Sequence, residues 1–384
     1  MNAMAGMIRA RDLRILVELN SVDLRIGAVN DALDLVQLAS PLGARFVLCG
    51  PLTEEFRCHA GDRGAATLSA ASRTFSRRDL PMYLADVVGW CARLRRLRAD
   101  VVHLNYASYG PSLACAAWLC GIPAIGRAGP FIPGNLSNRW VAAYVANCRA
   151  HAAELLDSPL ADRVVVTGDL FRPGRLQATM AAERPVPPKP PGVTRILFLG
   201  QLVERKGLHV LVDAFARLDA RAELLLAGGD WTSPGYPQRV KALARDLGVD
   251  GRIHFENHRE DVGALLSTAD VFVLPSLSEA RPRSIIEAMS LGMAVVATDT
   301  GGIPSLIESD HTGLLVAPAD AAALAESLGR LVRDPELRQR LGTAARRSAA
   351  RNFCPERTAA EYVRLYRRLA DRKRSADAGF PVHA

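Results

Sequence analysis

The hydrophobic positions of this chain fall into short unbroken runs separated by stretches with helical spacing. RILVEL (14–19), ARFVLCG (44–50) and ADVVHLN (99–105) have the length and β-branched content of strands buried on both faces. Between them, AVNDALDLVQLAS (28–40), residues 84–98 and SLACAAWLCG (112–121) carry the apolar stripe of amphipathic helices. IPAIGRAG (122–129) and DRVVVTGD (162–169) continue the strands, and WVAAYVANC (140–148) fits either a strand or a helix. Such alternation predicts a parallel sheet with helices on both faces.

The pattern breaks at ERPVPPKPPGV (183–193), where five prolines and no periodicity predict an extended, semi-rigid linker. It then restarts with RILFLG (195–200), LHVLVDAFARL (208–218), AELLLAGG (222–229), a helix near 237–247, RIHFE (252–256) and ADVFVLPS (269–276). A helix after Pro282, AVVATD (294–299), GLLVAP (313–318) and long amphipathic helices over about 320–372 complete it. The expected architecture is two α/β domains, 1–182 and 194–356, with a cleft between them. A helix at 357–372 is expected to cross back onto the first domain, followed by a flexible tail, 373–384. A chain of 384 residues has material for two cores. Ligands in such sheets bind beyond the carboxyl ends of strands, so the loops after strands are the places to look for chemistry.

The net charge is +8. Residues 1–190 hold 22 lysines and arginines against 16 acids, and the remainder 26 against 24, so the basic excess lies in the first half. That excess permits an acidic partner or a membrane face. Its densest run, RLRRLR (93–98), fits a solvated helix face and does not suggest nucleic acid. Seven scattered cysteines without a C-x-x-C pair suggest neither a zinc site nor a disulfide framework. The start lacks a secretory apolar core, and GPSLACAAWLCGIPAIG (110–126) is too short and too interrupted to span a bilayer. A cytoplasmic protein is expected, with contact at the inner membrane face left open.

Three post-strand loops carry the candidate chemistry. In SEARPRSIIEAMSLG (278–292), Ser284 and Glu287 fit a capping box and Gly292 a helix C′ position, which leaves Glu279 unexplained. QLVERKG (201–207) sets Arg205 and Lys206 at a helix opening, a ready anion site. Only four of the 48 basic residues are lysines. TGGIPS (300–305) offers glycines for a close backbone approach. In the first half, Arg25-Ile26-Gly27 has one glycine where a dinucleotide fingerprint needs three. Asp-x-Asp, the phosphate-loop motif and the hydrolase elbow are all absent. His103, ending VVHLN, fits either a cleft residue or a satisfied core histidine.

GQLVERKGLHVLVDAF, VFVLPS and SEARPRSIIEAMSLGMAVVATDTGGIPSLIESDHTGLLVAPAD together resemble the retaining glycosyltransferases of family 4. The resemblance covers about 195–366, and more loosely RADVVHLNYASYGPSLA, CGIPAIGRAG and RVVVTGD. It implies a GT-B fold, two Rossmann-like α/β domains with parallel sheets facing a central cleft. The family's paired glutamates fall on Glu279, implied to contact the donor sugar, and Glu287, implied to hold the ribose hydroxyls. It further implies that Lys206 neutralises the donor diphosphate, aided by the amides around Arg283 and Ser284. Gly27 would approach from the first domain, and Asn257 and His258 would lie by the base. Gln201 stands where many members have an arginine, with Arg205 as its substitute, and Ala280 and Ser305 are milder departures. No histidine stands near Gly129, which leaves Arg127 or His103 for that role, with Tyr109 also on the acceptor side.

The expected activity is retaining transfer of a sugar from a nucleoside diphosphate, UDP before GDP, to an acceptor hydroxyl. No metal or other cofactor is expected, and closure over the linker would assemble the site. The acceptor, a glycan, a lipid-linked or a small molecule, stays open. A catalytically inactive nucleotide-sugar-binding protein of the same fold is the alternative, and an epimerase would lack its acid and base groups.

Overall fold

A computed structural model describes residues 12–21, 27–105, 111–128, 135–180, 185–230, 233 and 235–378. The chain divides into two compact units, Met1–Leu170 with Cys354–Ala384, and Phe171–Phe353.

Unit 1 begins with β1 (Leu13–Glu18), α1 (Gly27–Ala39), β2 (Ala44–Gly50), α2 (Glu54–Gly61) and β3 (Ala66–Ser69). It continues with α3 (Leu80–Leu97), β4 (Val101–Leu104), α4 (Ser112–Leu119), β5 (Ala124–Arg127) and the short α5 (Ser137–Trp140). β6 (Val141–Ala146), α6 (Ala153–Leu156) and β7 (Val164–Val166) follow. The strands form one parallel sheet in the order β3-β2-β1-β4-β5-β6-β7. WVAAYVANC, open between helix and strand in the sequence, is strand β6, paired with β5 and β7. α2 and β3 escape the sequence pattern because both are short and largely exposed, with β3 at the sheet edge. α2 is set by Thr53, whose hydroxyl accepts from the Phe56 amide at 3.2 Å.

Unit 2 holds α7 (Pro173–Ala178), β8 (Thr194–Leu199), α8 (Leu208–Ala216), β9 (Ala222–Ala227), α9 (Tyr236–Asp246) and β10 (Ile253–Glu256). Then come α10 (Val262–Ser267), β11 (Val271–Leu274), α11 (Arg283–Ser290), β12 (Ala294–Thr298), β13 (Leu314–Val316), α12 (Ala321–Arg333) and α13 (Pro335–Asn352). Its parallel sheet runs β10-β9-β8-β11-β12-β13. Asp320 and Asp334 cap α12 and α13, accepting from the Ala323 and Leu337 amides at 2.9 Å each.

In both sheets the strand order reverses beside the first strand, which is the doubly wound arrangement. Successive residues of β1 face opposite helical layers. Leu13, Ile15 and Val17 pack with α1, while Leu16 joins Trp90 of α3 and Leu113 of α4. The last helix, α14 (Pro355–Ala378), belongs to unit 1, where Val363, Tyr366 and Leu369 enter the same core layer as α1.

The division between units falls after Leu170, ahead of the proline-rich segment, whose described part is held by unit 2. Arg195 donates to the Pro187 carbonyl at 2.7 Å and Arg259 to that of Pro185 at 3.4 Å. Lys189 pairs with Asp270 at 2.7 Å. Arg195 sits mid-sheet on β8, directly opposite Glu223 of β9, and the two form a buried ion pair at 2.5 Å. Removing one partner strands the other charge in the core. Glu223→Ala is therefore expected to destabilise unit 2 by about 3 kcal/mol. The shift of the urea midpoint would measure it, and an unchanged midpoint would show the pair to be idle.

Candidate active site

The turn after β8 and the turn after β11 flank the point where the order of the unit 2 sheet reverses. They are knitted through backbone, with the Leu277 amide donating to the Arg205 carbonyl at 2.8 Å. Gly207 adopts φ +68°, and a Cβ there would lie 2.1 Å from the Pro275 carbonyl oxygen, so the approach of the turns requires glycine. This contact brings Lys206 Nζ into a short ion pair with Glu279 Oε2. Lys206 is buried, and the Glu279 side chain keeps 10% of its surface exposed. Ser276 Oγ donates to the same oxygen at 3.4 Å, and the Ala280 amide donates to the other at 3.2 Å. Burial pushes the Lys206 ammonium down, and Glu279 opposes that shift.

Arg205 lies 3.8 Å from Glu279 and donates to Gln201 Oε1 at 2.9 Å. Gln201 thus holds Arg205 in place. Gly301, at φ +56°, would set a Cβ 1.6 Å from the Glu279 carbonyl oxygen, and the Gly302 amide donates to the Ala280 carbonyl at 2.6 Å. The close approach made by TGGIPS is therefore to the Glu279 turn.

The capping box is not formed. α11 begins at Arg283 with Pro282 as its N-cap and no side-chain cap, so Ser284 is its second residue and sits too deep to cap. The reason lies in Pro282, whose extended backbone and missing N–H set the helix start two residues early. Glu287 lies in the second turn, half-buried. The Arg283 guanidinium stacks over Phe171 at 5.6 Å. Gly292 ends the helix at φ +77°, and the Met293 amide donates to the Ala288 carbonyl at 3.0 Å, a Schellman closure. Asn257 and His258 follow the edge strand β10, which lies two strand spacings, about 10 Å, from β8 across the sheet.

In unit 1, His103 and Arg127 line one cavity of about 40 Å³ with Asp31, Asn147, Asp169 and Tyr362. His103 is a core histidine. Its Nδ1 meets Tyr366 Oη at 2.8 Å, and the ring stacks on Tyr362. Burial, then the nearby Arg127, lowers it to about 4, so it is neutral at physiological pH. Arg127 lies 3.7 Å from Asp31 of α1. Gly27 is the first residue of α1, while Tyr109 and Gly129 lie outside the described residues. Asn147 and Asp169 were not singled out in the sequence, although both follow strands, and that position was the available signal.

Residues 180–348 match the family model for glycosyl transferases group 1. That segment of the chain is therefore similar to the glycosyl transferases of group 1. D-inositol 3-phosphate glycosyltransferase of Corynebacterium efficiens is 34% identical over 222 residues, 56% of this chain and 51% of that protein. The lipopolysaccharide core biosynthesis glycosyltransferase LpsE of Rhizobium meliloti is 31% identical over 221 residues, 58% of this chain and 63% of that one. The chain thus spans about half the length of the curated relatives it matches first. A glycosyltransferase from Rickettsia africae aligns with a TM-score of 0.80 at 20% identity, covering 94% of this chain and 99% of that one. Anabaena HepE, in complex with UDP, aligns with a TM-score of 0.75 at 18% identity, covering 92% and 99%. At such identities the likeness speaks for the fold, which is GT-B. Lys206, Glu279 and Glu287 all fall inside the matched segment.

The end of β1 adds a group that sequence reasoning missed. Glu18 is buried, and one carboxylate oxygen accepts from Ser72 Oγ. The other has no partner among the described residues. Burial pushes its carboxyl from 4.5 up to about 7. The folded chain therefore holds this proton more tightly than the unfolded one. The stability it confers is complete below pH 4.5 and lost as the pH rises to 7, up to about 3 kcal/mol. Glu18→Gln should remove that part of the decline. Urea midpoints at pH 5 and pH 8 for both proteins would show it, and parallel pH profiles would overturn the assignment.

Proposed function

We propose that this protein transfers a sugar from a nucleoside diphosphate to an acceptor hydroxyl with retention of configuration, and without a metal. The observation that carries the proposal is the buried Lys206 held against Glu279, four residues ahead of a helix whose N-cap residue, Pro282, supplies no side-chain cap. Lys206 supplies the charge for the diphosphate, with Arg205 beside it. The first-turn amides of α11, at Arg283 and Ser284, add oriented donors whose dipole favours an anion. Glu279 is acceptor-only, which suits the hydroxyls of the donor sugar, and Glu287 takes those of the ribose. Asn257 and His258 are assigned to the side of the base.

In the transfer step the C1–oxygen bond to the diphosphate breaks, and its electron pair leaves with the phosphate oxygen. The acceptor oxygen bonds to C1 on the same face, and its proton passes to the departing phosphate. A preorganised ammonium and backbone amides stabilise that leaving charge in place of a cation. The acceptor side is assigned to unit 1, with Gly27, Arg127, His103 and Tyr109. Because His103 is neutral and tied to Tyr366, Arg127 is the better candidate to face a reacting group. UDP is the favoured nucleotide, in keeping with the UDP and UDP-glucose bound by Anabaena HepE.

A thermal-shift panel of nucleoside diphosphates and their sugars, joined to a turnover assay, tests this reading. One nucleotide class should raise the unfolding temperature, and Glu287→Ala should abolish the shift. Lys206→Ala should lower turnover by the equivalent of about 2–4 kcal/mol. Activity should survive EDTA. Wild-type turnover in Lys206→Ala would remove the phosphate assignment, and binding without turnover across an acceptor panel would make the protein an inactive binder.

A further inference from the structure

Ten large hydrophobic side chains are exposed among the described residues, and six of them stand on two neighbouring helices of unit 1. Leu80, Met82, Leu84 and Val88 belong to α3, and Trp118 and Leu119 to α4, with exposures between 41% and 69%. The two helices lie side by side on one face of the sheet. Ser112 at the start of α4 donates to Asp86 of α3, and Cys91 Sγ reaches the Ala116 carbonyl at 3.8 Å. Their inner sides, with Tyr83, Val87, Trp90 and Leu94 on α3, fill the core. α3 therefore carries two apolar stripes. The inner one is explained by the core, and the outer one, Leu80, Leu84 and Val88 at steps of one turn, is not.

Charge surrounds the outer stripe with one sign. Residues 73–98 contain seven arginines and two aspartates, and one of those aspartates, Asp86, is spent on Ser112 and the Arg73 amide. Arg77 and Arg78 precede Leu80, and Arg95 and Arg96 close α3, all four exposed. The basic excess of the first half is thus concentrated at both ends of an exposed apolar stripe.

We propose that the outer face of α3 and α4 docks unit 1 onto an anionic lipid bilayer. Apolar side chains enter the boundary between headgroups and acyl chains while arginines, whose stems are themselves apolar, extend to the phosphates. Trp118 suits the same depth, with an apolar body and a polar N–H. A second copy of this chain fits less well, because matching faces would oppose arginine to arginine. Contact would be peripheral, since no helix among the described residues is long and apolar enough to cross a membrane. The surface shares no residue with the donor site, and the proposal does not rest on the transferase reading.

Flotation of the full chain with vesicles tests it. The protein should float with mixed phosphatidylcholine and phosphatidylglycerol vesicles, about tenfold less with phosphatidylcholine alone, and be released by salt. Leu84→Glu with Val88→Glu, and separately Arg95→Glu with Arg96→Glu, should each cut binding about tenfold or more without lowering the unfolding temperature. Arg347→Glu with Arg351→Glu makes the same change of charge on exposed positions of α13 and should leave binding intact. Failure to float with mixed vesicles would overturn the proposal, as would equal loss in the α13 variant. Light scattering that shows a dimer dissociated by Leu84→Glu with Val88→Glu would assign the face to a second copy instead.

Discussion

The contact between Lys206 and Glu279 organises the post-strand turns of unit 2. Two charges buried side by side are tolerable only if each satisfies the other and the remaining polar atoms are bonded. Ser276 and the Ala280 amide bond the carboxylate further, and Arg205 lies near it. The arrangement in turn requires two turns from different strands to touch, which only a glycine at position 207 permits. A further glycine at 301 brings the turn after β12 against the backbone of Glu279. Three post-strand turns are thereby locked around one carboxylate.

Sheet order is what makes that convergence possible. In a parallel sheet whose order reverses at its first strand, the turns after that strand and its later neighbour leave in opposite directions and open a space between them. The order β10-β9-β8-β11-β12-β13 sets Lys206 and Glu279 at that opening. The same topology in unit 1 sets Glu18 at the end of β1 and His103 near the end of β4. Their chemistry differs because their surroundings do. His103 is satisfied by Tyr366 and stays neutral, whereas Glu18 keeps a buried oxygen without a described partner and titrates near neutrality.

Two features of unit 1 are not used by its core. The second apolar stripe of α3 stays 41–69% exposed, and the arginines at its ends, Arg77, Arg78, Arg95 and Arg96, are exposed as well. Sequences conserve buried volume for stability and place exposed apolar residues where another phase or molecule will cover them. The Lys206–Glu279 pair and this face are therefore separate features, carried by different units.

Much was legible in the sequence. Strands buried on both faces announce themselves as unbroken apolar runs, so β1, β2, β8, β9, β11 and β12 could be read directly. Glu279, Lys206 and Gly292 stood out because their types are unusual or conformationally demanding where they occur. Periodicity could not separate strand from helix for β6, nor find the exposed α2 and β3. Local pattern also favoured a capping box at Ser284, and Pro282 overruled it by fixing the helix start. What only the tertiary structure decided is which distant residues meet. Arg195 and Glu223 stand on two separate strands, and register places them opposite each other in the core. Residues 206 and 279 are separated by 73 positions, and pairing them depends on sheet order, which no local spacing encodes.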